Sequence, residues 1–339
     1  MDNRRFRRLL TEGAILIGCW IIIIFWIKDD KPKYYHNQGQ VFGTYYNIRY
    51  SAKSNLEKQI LASFEEFDNS LSTFNKKSVI SRINTNENDS TDAFFRAMFS
   101  CAKETYEISE GAFDPTVAPI VNLWGFGFSK KEQATERTID SLLQFVGFDK
   151  VWLKDERLVK ATPEIMLDAS AIAKGQACDV IAELLRENDC RNYLVDIGGE
   201  IVCQGVNNKG EAWKVGINKP VDDKTGSVNE LQEIIQSSAL CMATSGNYRQ
   251  FYYEEGQKRS HTIDPRTGYP VKHNLLSATV IAPTCMQADA MATACMVLGE
   301  EKALQMTESI ENTECYLIYA QGDSTKVMMS QGMAQYIQQ

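Results

Sequence analysis

The 339-residue sequence predicts an α+β domain in which helices are inserted among mostly antiparallel strands. A helical pattern in the first third supports this, because apolar residues recur at the spacing of one helix face over residues 55–72. Three short runs rich in β-branched and aromatic residues follow in the middle of the chain, at 193–197, 200–204 and 213–217, and predict successive strands. No 20–50-residue repeat and no Gly/Ser-rich or Pro-rich linker divides this part of the chain.

The remaining elements follow from local signals taken in chain order. Residues 41–50 read as a strand, and residues 91–110 as a helix that Gly111 would cap. A short helix at 138–145 is stopped by Gly147, and Asp155-Glu156 would turn a hairpin between 151–153 and 158–160. Later elements are a short strand ending at Met166-Leu167, helices at 174–188, 286–298 and 300–309, and strands at 239–244, 250–253, 276–282, 315–319 and 326–329.

Composition and charge narrow the class of protein. The chain is 44% hydrophobic and 24% charged, as in ordinary globular proteins, and its length suggests one large domain or two intimate lobes. The net charge of −8, with no basic stripe beyond the N-terminus, argues against nucleic-acid binding. None of the nine cysteines shows zinc-site spacing. We expect buried free thiols, with one or two disulfides as the alternative outside the cytoplasm.

The N-terminus has the pattern of a membrane anchor. Arg4, Arg5, Arg7 and Arg8 precede an apolar run at 14–27, which Lys28 and two aspartates end. The arginines favour a cytoplasmic N-terminus, so the rest of the chain would be exported. We therefore predict an anchor at 1–30, a polar tether at 31–39 and one exported domain at 40–335. A cleaved signal peptide and a lipoprotein with a lipidated Cys19 are the alternatives, and both also place the domain outside the cytoplasm.

Two segments suggest a ligand with a flat ring and phosphates. Around residues 111–127, the aromatic residues Phe113, Trp124 and Phe126 could stack on a ring, although a turn beside an aromatic cluster is the simpler interpretation. At 167–175 a strand leads through small residues into a helix, whose free N–H groups and Lys174 could hold a phosphate. Asp168 could accept from a base or ribose, or only orient the loop. A plain helix start is equally consistent with this pattern.

Two further segments suggest acid–base and metal chemistry. His261 precedes an Asp-Pro turn and could act as a general base, or could be an ordinary exposed histidine. Asp289 and Thr293 share one helix face, and their hard oxygens suit Mg²⁺. The alternative is an acidic residue near a helix start and a threonine that bonds back to its own helix.

In this order, the segments resemble the ApbE-type flavin transferases, also called FAD:protein FMN transferases. The resemblance covers roughly residues 40–330. It rests on FGT (42–44), LSTF (71–74), AFDPT (112–116), LWGFG (123–127), DASAIAKG (168–175), DIGGE (196–200), WKVGI (213–217), TSGNY (244–248), HTIDPRTGYP (261–270) and ADAMATA (288–294). Many family members have Gly-Gly at Ser170-Ala171 and methionine at Phe42.

The resemblance implies a single ApbE-like, T-fold-related domain and a set of site residues. Phe42 and Phe74 would lie against the flavin. Further FAD contacts would come from Ala112, Phe113, Asp114, Asp168, Lys174 and Ile263. Mg²⁺, or Mn²⁺ in its place, would be bound by Asp289, Thr293 and the backbone oxygen of Ala171. His261 would be the base that activates the acceptor hydroxyl.

The activity implied is transfer of FMN from FAD to a threonine or serine of another protein, with release of AMP. The acceptor would be a subunit of a membrane electron-transport complex, and the enzyme would lie at the bacterial inner membrane with its domain on the extracytoplasmic side. An FAD pyrophosphatase that uses water is the nearest alternative, and aromatic Phe74 favours transfer over it. A non-catalytic FAD-binding protein and a structural or adhesive domain are the others.

Overall fold

The computed structural model describes residues 33–128, 134–220, 230–247, 251–254, 257–322 and 324–338. Within them the strands are β1 (Lys33–Val41), β2 (Thr44–Ala52), β3 (Val151–Lys154), β4 (Arg157–Lys160), β5 (Tyr193–Ile197), β6 (Glu200–Gln204), β7 (Trp213–Asn218), β8 (Leu231–Ser237), β9 (Ala239–Gly246), β10 (Phe251–Glu254), β11 (Gln257–Ser260), β12 (Ile263–Asp264), β13 (Tyr269–Pro270), β14 (Leu275–Ile281), β15 (Glu314–Gln321) and β16 (Ser324–Met329). The helices are α1 (Glu57–Leu71), α2 (Val79–Asn84), α3 (Ala93–Ile108), α4 (Ala118–Leu123), α5 (Glu136–Leu143), α6 (Ala173–Glu187), α7 (Cys285–Leu298) and α8 (Glu300–Glu308).

One eight-stranded sheet organises these elements, in the order β1-β2-β5-β6-β9-β14-β15-β16. Each neighbouring pair in it is antiparallel. Side chains therefore alternate between its two faces. Val202 points into the larger core, whereas Ile201 and Cys203 on the same strand belong to a second core on the other side. The predicted α+β class with mostly antiparallel strands is confirmed.

The larger core lies between the sheet and helices α1, α3, α6 and α7. Helix α7 is the central element of this layer, and ten of its fourteen residues are buried. A helix that is apolar on all sides must be covered on all sides, and α7 packs against α3, α6, α8 and the strands β9 and β14. The position of its few polar side chains is therefore set by the whole layer.

The start of α7 is fixed by two side chains. The Thr284 hydroxyl accepts from the Gln287 N–H, and the Asp179 carboxylate, on α6, accepts from the N–H groups of Cys285 and Met286 at 3.0 and 2.8 Å. These bonds satisfy donors that the first turn of a helix leaves free. They join α6 to α7 at the end of α7 that carries Asp289.

The second core and a third, smaller one cover the rest of the sheet and the 261–270 loop. The β7–β8 hairpin and a short 3₁₀ turn at Gln331–Gln335 cover the second core. The third core joins α4, α5 and Ile263. There the Trp124 indole N–H donates to the Gly268 carbonyl at 2.9 Å, which holds the 261–270 loop against the aromatic segment.

The N-terminal part of the described chain differs from the prediction. Residues 33–41, expected to lie mainly in a polar tether, form the edge strand β1, and the strand expected at 41–50 is half of a hairpin. Phe42 and Gly43 make its two-residue turn, with φ of 50° and 73°. An edge strand with mostly exposed side chains does not need an apolar face. The polar composition of residues 33–41 therefore gave no strand signal in the sequence.

The expected strand ending at Met166-Leu167 is also absent. Instead, the Asn84 side-chain amide donates to the Leu167 carbonyl and accepts from its N–H, both at 2.8 Å. The amide thus satisfies the two backbone groups that a neighbouring strand would have paired. The helices α2 and α4 and the strands β8, β11, β12 and β13 were also not predicted from the sequence.

No helix in the described parts of the chain is long and apolar enough to cross a membrane. The predicted anchor at 1–30, including Cys19, lies outside the described residues. The eight cysteines within them carry free thiols, and seven are buried.

Candidate active site

A cleft of about 1230 Å³ opens beside the N-terminus of α6 and the adjoining face of α7. It brings together all the residues to which the family resemblance gives a role, and also Phe126. The residues implied by the resemblance are Phe42, Phe74, Ala112, Phe113, Asp114, Asp168, Ala171, Lys174, His261, Ile263, Asp289 and Thr293. Their common location does not by itself assign a role to any of them. Trp124, the other residue considered for stacking on a ring, is not in the lining, because its side chain is buried in the third core and is only 3% exposed.

Hydrogen bonds between Asp168 and Ser170 stabilise the turn of small residues that precedes α6. The Asp168 carboxylate accepts from the Ser170 N–H at 2.9 Å and from the Ser170 hydroxyl at 2.6 Å. Burial raises the pKa of Asp168, and these two bonds oppose the rise. Asp168 therefore orients the loop, as the simpler alternative held, while it also lines the cleft.

The N-terminus of α6 offers fewer free donors than the sequence suggested. The Ala173 N–H already binds the Ala169 carbonyl at 2.8 Å, and the Gly175 N–H binds the Asp289 carboxylate at 3.0 Å. A phosphate here would depend on the Lys174 side chain more than on the helix end. Gly175 makes the contact with α7 possible, because a Cβ at this position would lie 2.2 Å from the Cys285 carbonyl oxygen.

The half-buried Lys174 side chain forms an ion pair with a buried carboxylate, and this pair was not predicted from the sequence. Lys174 Nζ donates to Glu200 Oε1 at 2.5 Å, and the Glu200 side chain is only 2% exposed. Glu200 is the first residue of β6 and directly follows Gly198 and Gly199, whose φ values of 66° and 106° suit glycine. The DIGGE motif contains Glu200, but no local pattern could show that its partner lies 26 residues earlier.

The charges in this cluster influence one another strongly. Burial raises the pKa of Glu200 to about 7, against the lowering effect of Lys174. Burial also raises the pKa of Asp289, again opposed by Lys174. For Lys174 itself, burial lowers the pKa, but Glu200 and Asp289 outweigh it and raise the pKa above its ordinary value.

Asp289 and Thr293 face a group of hydroxyls. The Thr293 hydroxyl lies 3.2 Å from the Ser245 hydroxyl on β9, so it contacts the sheet as well as its own helix. Ala171 lines the same cleft. The described residues contain no group of three or more His, Cys, Asp or Glu side chains placed to hold a metal.

This donor set nevertheless fits Mg²⁺. Magnesium is usually bound by one or two carboxylates and completes its shell with water and substrate phosphates. Asp289 supplies one carboxylate among neutral oxygens. In addition, Glu200 Oε2 is buried and has no hydrogen-bond partner in the described part of the chain, and a water molecule held by a bound ion could satisfy it.

The aromatic wall of the cleft has a buried part and an exposed part. Phe42, at the hairpin turn, packs on Phe64 and Phe67 with ring centroids 5.6 Å apart in both cases. Its φ of 50° is unusual for phenylalanine and shows that the hairpin fixes the ring at a cost in backbone strain. Phe74 contributes a side chain that is 75% exposed.

Phe113 and Asp114 line the cleft but are mostly bound by the protein itself. Phe113 is buried in the larger core. Asp114 accepts from the Thr116 N–H and hydroxyl at 2.8 and 2.6 Å and from the Phe148 N–H at 3.1 Å. Burial raises the pKa of Asp114 to about 6, and the bonds from Thr116 and Phe148 oppose the rise.

His261 lies on the loop that Trp124 holds. Its ring meets that of Phe126 edge-on, with centroids 6.3 Å apart. The neighbouring residues are well fixed. Thr262 donates to the Asn247 side chain at 2.6 Å, and Arg266 binds the Asp264 carboxylate through two nitrogens at 2.9 Å. The structure thus presents an imidazole in the same cleft as Lys174 and Asp289.

Comparison with known proteins points to one family. The ApbE family profile matches residues 42–317. A Haemophilus influenzae protein named FAD:protein FMN transferase is 38% identical over 326 residues, which cover 91% of this chain and 92% of that protein. An Escherichia coli protein of the same name is 33% identical over 344 residues, covering 95% and 94%.

The fold agrees with these sequence matches. The structure of the flavin transferase ApbE from Vibrio cholerae superposes with a TM-score of 0.80 at 33% identity, and the match covers 90% of this chain and 99% of that one. The family match, the identities and the fold all span most of the chain. The chain therefore belongs to the ApbE family, and it is an enzyme of the transferase class.

Proposed function

We propose that this enzyme is a Mg²⁺-dependent FAD:protein FMN transferase. In the reaction, an acceptor threonine or serine hydroxyl attacks the FMN phosphorus of FAD. A phosphoester bond forms to the acceptor, the pyrophosphate P–O bond breaks, and AMP leaves. The observation that carries the proposal is one cleft that combines a lysine paired with a buried carboxylate, a histidine and an aromatic wall.

The cleft has room and chemistry for FAD. Small-molecule sites commonly measure about 300–1,000 Å³, so about 1230 Å³ suits a dinucleotide. The aromatic wall around Phe42 and Phe74, with Ala112, Phe113 and Ile263, would contact the flavin ring. Lys174 would bind the pyrophosphate, while Asp168 and Asp114 keep the adjoining loops in place.

Asp289, Thr293 and the Ala171 carbonyl would hold Mg²⁺. When bound, the ion would offset the negative charge that builds up on the phosphates as AMP leaves. The protein's own part is to keep these oxygens in place, through the Gly175 N–H bond to Asp289 and the burial of α7.

His261 would take the proton of the acceptor hydroxyl. A general base of this kind typically contributes about 10²–10⁴-fold to the rate. The edge-on contact with Phe126 and the fixed turn at 262–268 would keep the imidazole oriented toward the cleft.

Transfer to a protein is favoured over hydrolysis by the exposed side of the aromatic wall. Phe74 leaves an apolar surface at the cleft, and such a surface is poorly suited to ordering a nucleophilic water. FAD pyrophosphatase activity is the second candidate. It would use the same groups with water in place of the acceptor hydroxyl.

We also propose that the protein is anchored in the bacterial inner membrane by residues 1–30, with the domain on the extracytoplasmic side. The support is the arginine cluster before the apolar run at 14–27. Lipidation of Cys19 is the alternative form of attachment. Either form of membrane attachment is consistent with an acceptor in a membrane electron-transport complex. Cell fractionation combined with a protease-accessibility assay tests where the domain lies.

The test of the activity mixes the full-length protein with FAD, Mg²⁺ and an acceptor domain that contains a flavinylation threonine. We expect a covalent FMN adduct by intact mass and in-gel fluorescence. Asp289→Ala and His261→Ala should each abolish the adduct, and His261→Ala should leave FAD affinity unchanged. Free FMN and AMP with unmodified acceptor would support the pyrophosphatase instead. Bound FAD without turnover would support a binding protein.

A further inference from the structure

Lys174 lies near two carboxylates but binds only one of them. Its Nζ donates to Glu200 Oε1, and both Glu200 and Asp289 raise the pKa of its ammonium group. No hydrogen bond or ion pair joins Lys174 to Asp289, although the two interact electrostatically. The two acids are therefore not equivalent: one is neutralised by the ammonium, and the other is left to different partners.

Asp289 keeps part of its carboxylate available. Its Oδ2 accepts the Gly175 N–H at 3.0 Å, and the carboxylate lines the cleft with no further hydrogen bond from the described residues. When all three groups are ionised, one ammonium and two carboxylates leave one net negative charge in this cluster. That excess negative charge would attract a divalent cation.

Removing Glu200 would change this distribution. The Lys174 side chain is half-buried, so its ammonium would still favour an acidic partner, and the flexible lysine stem lets the charge move. Besides Glu200, Asp289 is the other acid that raises the pKa of Lys174, and its carboxylate binds the N–H of the next residue, Gly175. The ammonium would then pair with Asp289, neutralise its charge and occupy the space needed by a cation.

We propose that Glu200 is a positioning residue that holds the Lys174 ammonium away from Asp289, so that Asp289 remains available to a divalent cation. This inference rests on the proposed function, because it assumes the cation site at Asp289. It explains how one cleft can keep a phosphate-binding ammonium and a cation-binding carboxylate close together without the first blocking the second.

The test measures Mn²⁺ affinity of the full-length protein without FAD, by electron paramagnetic resonance of the free ion. Glu200→Gln keeps the shape of the side chain and removes its charge. We expect it to weaken Mn²⁺ binding by about tenfold or more, since a shift of that size needs only about 1.4 kcal/mol.

The second variant separates positioning from direct binding. Lys174→Met keeps an unbranched stem without the charge. In the double variant Glu200→Gln/Lys174→Met there is no ammonium to compete for Asp289. We expect Mn²⁺ affinity to return to within about threefold of that of Lys174→Met alone, which is non-additive behaviour expected of contacting groups.

A matched control removes a similar charge elsewhere. Glu183 lies on the exposed side of α6, where it pairs with Arg186. Glu183→Gln should leave Mn²⁺ affinity unchanged, and thermal unfolding of each variant should show a single folded state.

The outcomes separate the possibilities. Equal Mn²⁺ affinity of Glu200→Gln and the unmodified protein would overturn the inference. So would a loss that Lys174→Met does not reverse, because Glu200 would then bind the ion or support the fold directly. If Glu183→Gln lost as much Mn²⁺ affinity as Glu200→Gln, the effect would come from the change in net charge alone, and the inference would be wrong. If the unmodified protein bound no Mn²⁺, the proposed cation site itself would be wrong, whatever the variants did.

Discussion

At the scale of single residues, some side chains of the cleft already hydrogen-bond to neighbouring protein groups, whereas others keep atoms without such a partner in the described part of the chain. The carboxylates of Asp114 and Asp168 accept hydrogen bonds from neighbouring backbone N–H and hydroxyl groups. Phe74 leaves its ring exposed at the cleft, and Asp289, although buried, lines the cleft with only one hydrogen bond, from the Gly175 N–H, among the described residues. The residues of the second kind are the ones at which substitution should change chemistry more than stability.

Phe74→Asn tests this distinction. We expect the ratio of hydrolysis to transfer to rise, because a polar side chain can hold a water where the ring excluded it. The measurement is free FMN against acceptor adduct, by chromatography and intact mass. Leu61→Asn, at an exposed apolar position on α1 away from the cleft, is the control and should leave the ratio unchanged. An unchanged ratio in Phe74→Asn as well would remove Phe74 from the selection of the nucleophile.

The sequence predicted the members of the site but not all of their partners. Asp289 and Thr293 share a helix face, which spacing alone reveals, and both line the cleft as expected. The pairing of Lys174 with Glu200 depends instead on how α6 packs beside β6. Such a contact has no periodic signal, so it becomes visible only in three dimensions.

At the scale of elements, the contact between α6 and α7 fixes the end of the cleft that contains Lys174 and Asp289. Gly175 lets the two helices approach until its N–H reaches Asp289, and Asp179 caps α7 from α6. In the first contact an N–H of α6 donates to a carboxylate of α7, and in the second an N–H of α7 donates to a carboxylate of α6. A small displacement of either helix would therefore move Asp289 and Lys174 relative to each other.

Gly175→Ala should displace the helices. The added Cβ would lie 2.2 Å from the Cys285 carbonyl oxygen and 2.8 Å from the Asp289 Cβ, so backbone must shift. We expect a loss of about 1–3 kcal/mol in the free energy of unfolding, the usual range for overpacking. Urea denaturation measures this loss, and Mn²⁺ affinity should fall in parallel. Glu183→Ala, on the exposed face of the same helix, should change the unfolding free energy by less than about 0.5 kcal/mol. A stable Gly175→Ala protein with full affinity would contradict the role given to this contact.

Long periodic helices and apolar strands were predictable, while polar or short elements were not. Helices α1 and α6 have the apolar spacing that defines a buried face, whereas α7 is apolar on all sides. The structure places all three within a few residues of the expected positions. β1 has mostly exposed side chains, and α2 and α4 have six residues each, too few for a periodic signal. The Asn84 amide in place of a strand at Leu167 shows a further limit, because a side chain can satisfy backbone groups as a strand does.

At the scale of the whole molecule, several buried acids give the fold a dependence on pH. Burial is the main cause that raises the pKa of Asp114, Asp179 and Asp196 to about 6, and that of Glu200 to about 7. Each folded-state pKa is above the ordinary value for a carboxyl group, so the native state holds more protons than the unfolded state between these values.

The unfolding free energy should therefore fall as pH rises from about 4 to about 7 in the absence of divalent cations. The slope is about 1.4 kcal/mol per pH unit for each proton that the folded state holds in excess. Urea denaturation at several pH values, with a chelator present, measures it. Asp196→Asn should flatten part of the slope. Stability that rises over this range would show that these carboxylates are favoured as ions in the fold.

The β1–β2 hairpin also sets a distance. Its turn, at Phe42, forms part of the cleft wall, while Lys33 lies at the opposite end of β1, paired with Ala52. Nine residues of strand separate the two ends by about 27 Å at a rise of about 3.4 Å per residue. In a chain anchored ahead of Lys33, this hairpin would act as a spacer between the attachment point and the reacting phosphate. Acceptors would then be sorted by the height of their hydroxyl above the lipid surface as well as by the sequence around it.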